Sequence, residues 1–197
     1  MAHTTIFPIN VLGDIAKQLG NSLPDFLDTE VLSDKPIIKL GETFELYTLL
    51  PDAISLSNKG VKNVTQKTNK WHHQIFFNNV AKAFARSIPK DSNPDDREIV
   101  EISYSYRAKK IHDAIEWIDE NVKDDVCIHL LIVRAYQMYT FWLEESNQVV
   151  IIYCPKSLYH CLTCLKLYEM NEFLNILYKE KSMSGRICED DKVKDNK

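Results

Sequence analysis

The chain has 197 residues, 45% of them hydrophobic and 26% charged, with a formal net charge of −4 at pH 7. Those proportions are those of an ordinary globular chain, and they exclude a collagen-like, low-complexity or disulfide-dense scaffold. No apolar run approaches the roughly 20 residues that a membrane helix requires, the best being Cys127 to Val133 and Val149 to Cys154, so no transmembrane segment is expected.

Met1 to Leu19 lacks a basic lead, and Pro8, Asn10, Gly13 and Asp14 interrupt its apolar residues, which speaks against a signal peptide. The cysteines (Cys127, Cys154, Cys161, Cys164 and Cys188) are odd in number, and several stand in apolar runs where a free thiol behaves as a small hydrophobe. A soluble protein of the reducing cytoplasm is the expectation. The five glycines are too far apart to form a phosphate-cradling loop, and the chain carries no Gly-x-Ser-x-Gly, no His-Glu-x-x-His, no calcium loop and no internal repeat. No cofactor is therefore expected.

In chain order, Asn10 caps a first helix whose Val11, Leu12, Ile15 and Leu19 recur at helical spacing, and Gly20 stops it. A turn at Pro24 and Asp25 follows. Residues 36–50 read as a hairpin with its turn at Gly41 and Glu42, ended by Pro51. Residues 55–69 are rich in Ser, Asn, Lys, Thr and Gln, which is loop composition.

Asn69 then caps a helix over 70–88 with Phe76, Val80, Phe84 and Ile88 on one face and Pro89 beyond. Asn93, Pro94, Asp95 and Asp96 announce a second helix, with Val100, Tyr104, Ala108, Ile111, Ile115, Ile118 and Val122 at steps of four and three. Its first part also alternates as a strand would over 99–106. Residues 125–154 are rich in β-branched and aromatic residues and read as an antiparallel meander, with a connecting turn at 145–148. Ser157 caps a closing helix carrying Leu158, Cys161, Leu162, Leu165 and Tyr168, and Asn171 restarts it with Phe173, Leu174 and Leu177.

The expected architecture is a single α+β domain: a helical hairpin packed with an antiparallel β-meander and a C-terminal helix. It divides into an N-terminal helix-and-hairpin lobe (1–56), a basic linker (57–69), the main domain (70–182) and a disordered charged tail (183–197).

The chief anomaly is electrostatic. Residues 53–90 hold Lys59, Lys62, Lys67, Lys70, Lys82, Arg86 and Lys90 and no Asp or Glu, against 17 basic and 28 acidic residues elsewhere. Such a segment suits an anionic partner, and Lys59, Lys62, Lys67, Lys70, Trp71 and His72 are the candidate contacts, the last two by stacking. The alternative is internal neutralisation, Lys82 and Arg86 meeting Glu98 and Glu101 across the helical hairpin.

Other groupings are weaker. His112 and Glu116, with Asp113, share a helix face suited to acid–base or metal chemistry. Glu144 and Glu145 point to opposite sides of a strand end and read as solubility residues. Tyr136, Tyr139, Phe141 and Trp142 serve either as a binding face or as core. Cys154, His160, Cys161 and Cys164 have the residue types of a zinc site but lack a second ligand pair, and packed thiols explain them as well. Cys127 and His129 alternate onto one side of their strand and are further recruits.

The expected function is an interaction or regulatory module that binds another macromolecule, above all a protein. A nucleic acid, another anionic partner such as a membrane surface or acidic protein, a homodimer partner, and a small enzyme with a pocket invisible in sequence are the alternatives.

Overall fold

The computed structural model describes residues 3–4, 13, 15–19, 37–50, 53, 64–90, 93–123 and 125–181. Among the described residues nine strands form one mixed sheet: β1 (His3–Thr4), β2 (Ile38–Leu49), β3 (Thr65–Phe77), β4 (Val80–Lys90), β5 (Asn93–Tyr104), β6 (Cys127–Val133), β7 (Met138–Leu143), β8 (Gln148–Tyr153) and β9 (Leu167–Glu169). Helical segments lie at α1 (15–19), α2 (Tyr106–Asn121) and α3 (170–181). The spatial order is β5-β4-β3-β2-β6-β7-β8-β9, with β1 beside the start of β6. Two antiparallel four-strand runs, each followed by a helix, thus meet at a parallel joint where Leu46 to Thr48 pair with Leu130 to Ile132.

Side-chain alternation along the strands buries both faces of the sheet. On one face Ile111, Ala114, Ile115 and Ile118 of α2 pack with Phe44, Leu46, Ile128, Leu130, Phe141 and Val150. On the other, Phe173, Leu174 and Leu177 of α3 pack with Leu131, Val133, Met138, Trp142, Val149 and Ile151. Leu19 of α1 rests on Ile75, Phe77, Ala83, Ala85 and Ile102, and Ile15 on Trp71. No helix among the described residues is long and apolar enough to cross a membrane.

This architecture corrects the expected helical hairpin. The segment 70–88 is the β3–β4 hairpin, turning at Asn78 and Asn79, both at positive φ. A spacing of four is even, so apolar residues at that step keep to one side of a strand as readily as to one helix face. Residues 93–104 are strand β5, and Ser105, extended at φ −154°, begins the helix by accepting the Arg107 N–H at 3.2 Å. Beyond that cap the expected seam holds: Ala108, Ile111, Ile115 and Ile118 are buried.

The expected hairpin over 36–50 is one continuous strand. Gly41 makes no turn but sits in a bulge, where a Cβ would run into the Phe76 ring. Thr65 to Asn69, expected as loop, begin β3, because Leu49, Thr48 and Tyr47 supply pairing partners for Thr65, Gln66 and Lys67. The helix expected from Ser157 is a single 3-10 turn, Lys156–Leu158, after which the chain extends into β9; the restart near Asn171 is α3. The meander β6–β7–β8 stands where expected. The Asn10 cap with Val11 and Leu12, the Gly20 stop, the Pro24 and Asp25 turn, residues 55–63 and the tail lie outside the described residues.

Candidate functional site

The registers set one row of side chains across four strands on the face shared by α1 and α3. Trp71 pairs with Glu45, Glu45 lies beside His129 across the parallel joint, and His129 pairs with Trp142. His129, 2% exposed, packs against the rings of Tyr47 at 4.8 Å and Trp142 at 5.1 Å, which meet each other at 5.2 Å. Its Nδ1 faces a Glu45 carboxylate oxygen at 3.9 Å, and its Nε2 a Glu144 oxygen at 3.1 Å. Glu45 in turn is bound by Lys67 Nζ and by the Tyr47 hydroxyl at 3.4 Å.

Cys127 and Glu144 are opposite one another at the end of β6 and β7, where the Glu144 N–H donates to the Cys127 carbonyl at 3.0 Å. Cys127, His129 and Glu144 each bring a ligand-type atom to within 4.8 Å of the others. The His129 ring is opposed by burial, but hydrogen bonds to Cys127 and Glu144 outweigh it and raise its pKa. Carboxylate oxygens on two sides, Glu144 at Nε2 and Glu45 at Nδ1, favour a cation there.

Glu144 and Glu145 lie in the turn after β7, not on a strand, and neither is merely a solubility residue. Glu145 accepts the Cys127 backbone N–H at 2.6 Å, and Glu144 faces His129. The period of two in Cys127-x-His129 was the sequence signal; Glu144 was missed because its proximity arises across strands.

No known protein family matches the chain, and no curated protein is significantly similar to it.

The other expected residues fall as follows. Lys59 and Lys62 lie outside the described residues. Lys67 is ion-paired with Glu45, and Lys70 is exposed. Trp71 and His72 are buried, Trp71 under Ile15 and the Arg97 guanidinium, His72 against Phe84 at 4.7 Å, so neither presents a ring for stacking. Arg86 binds Glu101 at 2.9 Å as a cross-strand pair of β4 and β5, so part of the basic segment is neutralised internally, though between strands rather than helices.

Cys154, His160, Cys161 and Cys164 do not converge as a ligand set among the described residues. Cys154 is buried with its thiol pushed up to about 12, chiefly by burial. His160 instead meets Glu180 at 3.0 Å near Cys161, a second but exposed group. His112 lies between Glu42 at 3.3 Å and Glu116 at 3.6 Å, while Asp113 binds Lys109. Tyr139, Phe141 and Trp142 belong to the core, and the Tyr136 hydroxyl donates to the Leu177 carbonyl.

A second surface feature lies at the start of α2. Tyr106 and Tyr159 are 60% and 58% exposed, and Tyr106 meets Tyr153 edge-on at 6.3 Å. Arg107 sits over the rings of Tyr139 at 5.1 Å and Tyr153 at 5.5 Å. The Tyr153 hydroxyl is raised in pKa by its hydrogen bond to Tyr106. A depression of about 300 Å³ between Thr48, Gln66, Val133 and Arg134 has no acid, thiol or imidazole among its described lining residues.

Proposed function

We propose that the protein is a non-catalytic interaction module of the reducing cytoplasm, and that it docks another protein through the tyrosine cluster at the start of α2. The observation that carries this reading is the exposure of Tyr106, and of Tyr159 near Tyr153, beside an arginine already oriented by the Tyr139 and Tyr153 rings. Tyrosine and arginine dominate the energetics of protein interfaces, because they bury large area with little conformational entropy to lose and keep a polar end for hydrogen bonding. Arg107 is held on the rings it covers, which lowers the entropic cost of meeting a partner. The free thiols Cys154, Cys161 and Cys164 support the reducing compartment.

The test is site-directed photocrosslinking in the native cell, with the probe at position 106 or 159 and, as control, at Lys181. One protein species captured from 106 and 159 but not from 181, and lost on Tyr106→Ala with Tyr159→Ala, is the expected outcome. Equal capture from all three positions overturns it. Nucleic acid captured instead, with affinity falling steeply as salt rises, moves the function to the alternative in which Lys70 and the neighbouring basic residues contact phosphate.

A further inference from the structure

We propose that Cys127, His129 and Glu144 form a binding site for a thiophilic divalent metal ion of the zinc class, with Glu45 orienting the imidazole from behind. The site is built by strand geometry. Cys127 and His129 are two apart on β6 and so project to the same face, and Glu144 stands opposite Cys127 in the turn after the neighbouring antiparallel strand. Their donor atoms lie within 4.8 Å of one another, the span over which one ion reaches a sulfur, a nitrogen and a carboxylate oxygen. A thiolate, an imidazole and a single carboxylate form a donor set that selects zinc or cobalt over magnesium or calcium, which take oxygen ligands.

The burial of its histidine separates this group from the one at His160, Cys161 and Glu180, whose histidine is exposed. The imidazole is 2% exposed and packed in a three-ring cluster with Tyr47 and Trp142, which themselves meet at 5.2 Å, so its ring is positioned before any ion arrives. With Nε2 turned to Glu144, Nδ1 is left toward the Glu45 carboxylate at 3.9 Å, an ion-pair contact longer than a hydrogen bond but on the side from which a second carboxylate orients a metal-binding histidine. Glu45 is itself fixed by Lys67 and Tyr47. Glu145 holds the Cys127 backbone through its N–H, steadying the sulfur-bearing residue at the strand end. His160, by contrast, is 62% exposed with a single carboxylate partner. Three protein ligands leave a tetrahedral ion one position for water or another donor, and the partial exposure of Cys127 and Glu144 gives access to it.

The experiment uses the full chain, reduced and stripped of metal, titrated with Co2+ and then displaced with Zn2+. One equivalent of Co2+ should bind with thiolate-to-cobalt charge-transfer absorption, and Zn2+ should bleach it. Cys127→Ser should abolish that absorption, Glu45→Gln should weaken Co2+ binding by about 10- to 100-fold without removing it, and Cys161→Ser should change nothing. Far-UV circular dichroism confirms that each variant is folded. Should Cys127→Ser fail to fold, Glu144→Gln decides, since that side chain is 42% exposed: weakening of about tenfold or more supports the site, and unchanged affinity overturns it. Absence of the absorption in folded wild-type protein, or its loss in Cys161→Ser instead, equally overturns the assignment.

Discussion

Gln18 and Ile99 are joined across the open edge of the sheet. The Gln18 side-chain amide accepts the Ile99 N–H at 3.2 Å and donates to the Arg97 carbonyl at 2.9 Å, so one side chain occupies the place of a neighbouring strand. Among the described residues strand β5 is the outer member of the sheet order, and it runs for 12 residues, a length of edge backbone that invites pairing with another chain. Ile15 and Leu19, on the same helical segment, seat Gln18 there by packing on Trp71 and on the Ile75, Phe77 and Ile102 cluster.

Gln18→Ala should therefore have two effects. Losing two hydrogen bonds at a half-buried site costs about 1–2 kcal/mol, readable as a lower denaturation midpoint. The freed β5 edge should also raise concentration-dependent self-association, measured by light scattering. Unchanged midpoint and unchanged mass would show that the amide does not protect the edge.

Gly41→Ala tests the bulge in β2. An added Cβ meets the Phe76 ring and stands 3.3 Å from Gln74 Cβ, so the ring must move within a packed sheet. Destabilisation of about 1–3 kcal/mol is expected. Phe76→Leu in the same chain should recover part of it, because the two changes share one contact and are not additive. If the double variant loses the sum of the two single losses, the collision is not the cause.

The contrast between β6–β8 and β3–β4 shows what the sequence made legible. In β6 to β8 nearly every residue is apolar, with both faces covered by helices, and short β-branched runs bounded by polar turns have few rival readings. In β3 and β4 the apolar residues fall four apart, which satisfies helix and strand alike, and the deciding signal was the Asn78-Asn79 pair, two residues that tolerate the positive φ of a tight hairpin turn. The cap at Ser105 was hidden by the Asn93-Pro94 signal upstream, which places the helix start 12 residues too early. At the candidate site Cys127 and His129 were placed together by alternation alone. Glu45 comes from another strand and Glu144 from the turn after β7, and only the register of β2, β6 and β7 brings them in.

The four described thiols should differ in reactivity toward iodoacetamide. Cys154 is 1% exposed, and burial together with Cys164 and Cys161 raises its pKa from 9.0 to about 12, which leaves very little thiolate at pH 8. Cys127, Cys161 and Cys164 are only partly buried. Mass spectrometry over time should find Cys154 modified slowest, by about two orders of magnitude relative to the most reactive thiol. Comparable rates at all four would contradict the packing of β8 against α3. Cys161→Ala and Cys164→Ala should each cost only a modest amount of stability, as loss of a half-buried sulfur does.

His72 and His73, adjacent on β3, should make the protein acid-labile. His72 is buried against Phe84 and near Phe44 on the α2 face, with no hydrogen-bond partner at either ring nitrogen, and burial first, then Arg86 and His73, hold its pKa well below 6.5. His73 is buried on the other face between the Thr43 hydroxyl at 3.1 Å and the Ser87 hydroxyl at 2.8 Å, and burial, then Arg97, lowers it to about 3. Both rings are neutral when folded, whereas each binds a proton in the unfolded chain below about pH 6.5. Unfolding therefore takes up protons, so their contribution to stability is whole above pH 6.5 and is lost as pH falls, toward pH 3 for His73. Each costs up to about 1.4 kcal/mol per pH unit over that range. His129 runs oppositely, because its raised pKa adds stability that disappears as pH rises above 6.5, so it contributes little to the slope between pH 4.5 and 6. Urea denaturation in that window should show stability falling with acid, and His72→Leu, which fills the space between the rings without a titrating group, should flatten the slope by about 1 kcal/mol per pH unit relative to wild type. A variant slope equal to that of the wild type would mean that His72 is already protonated inside the fold, and that its burial between β3 and α2 is not as dry as the structure has it.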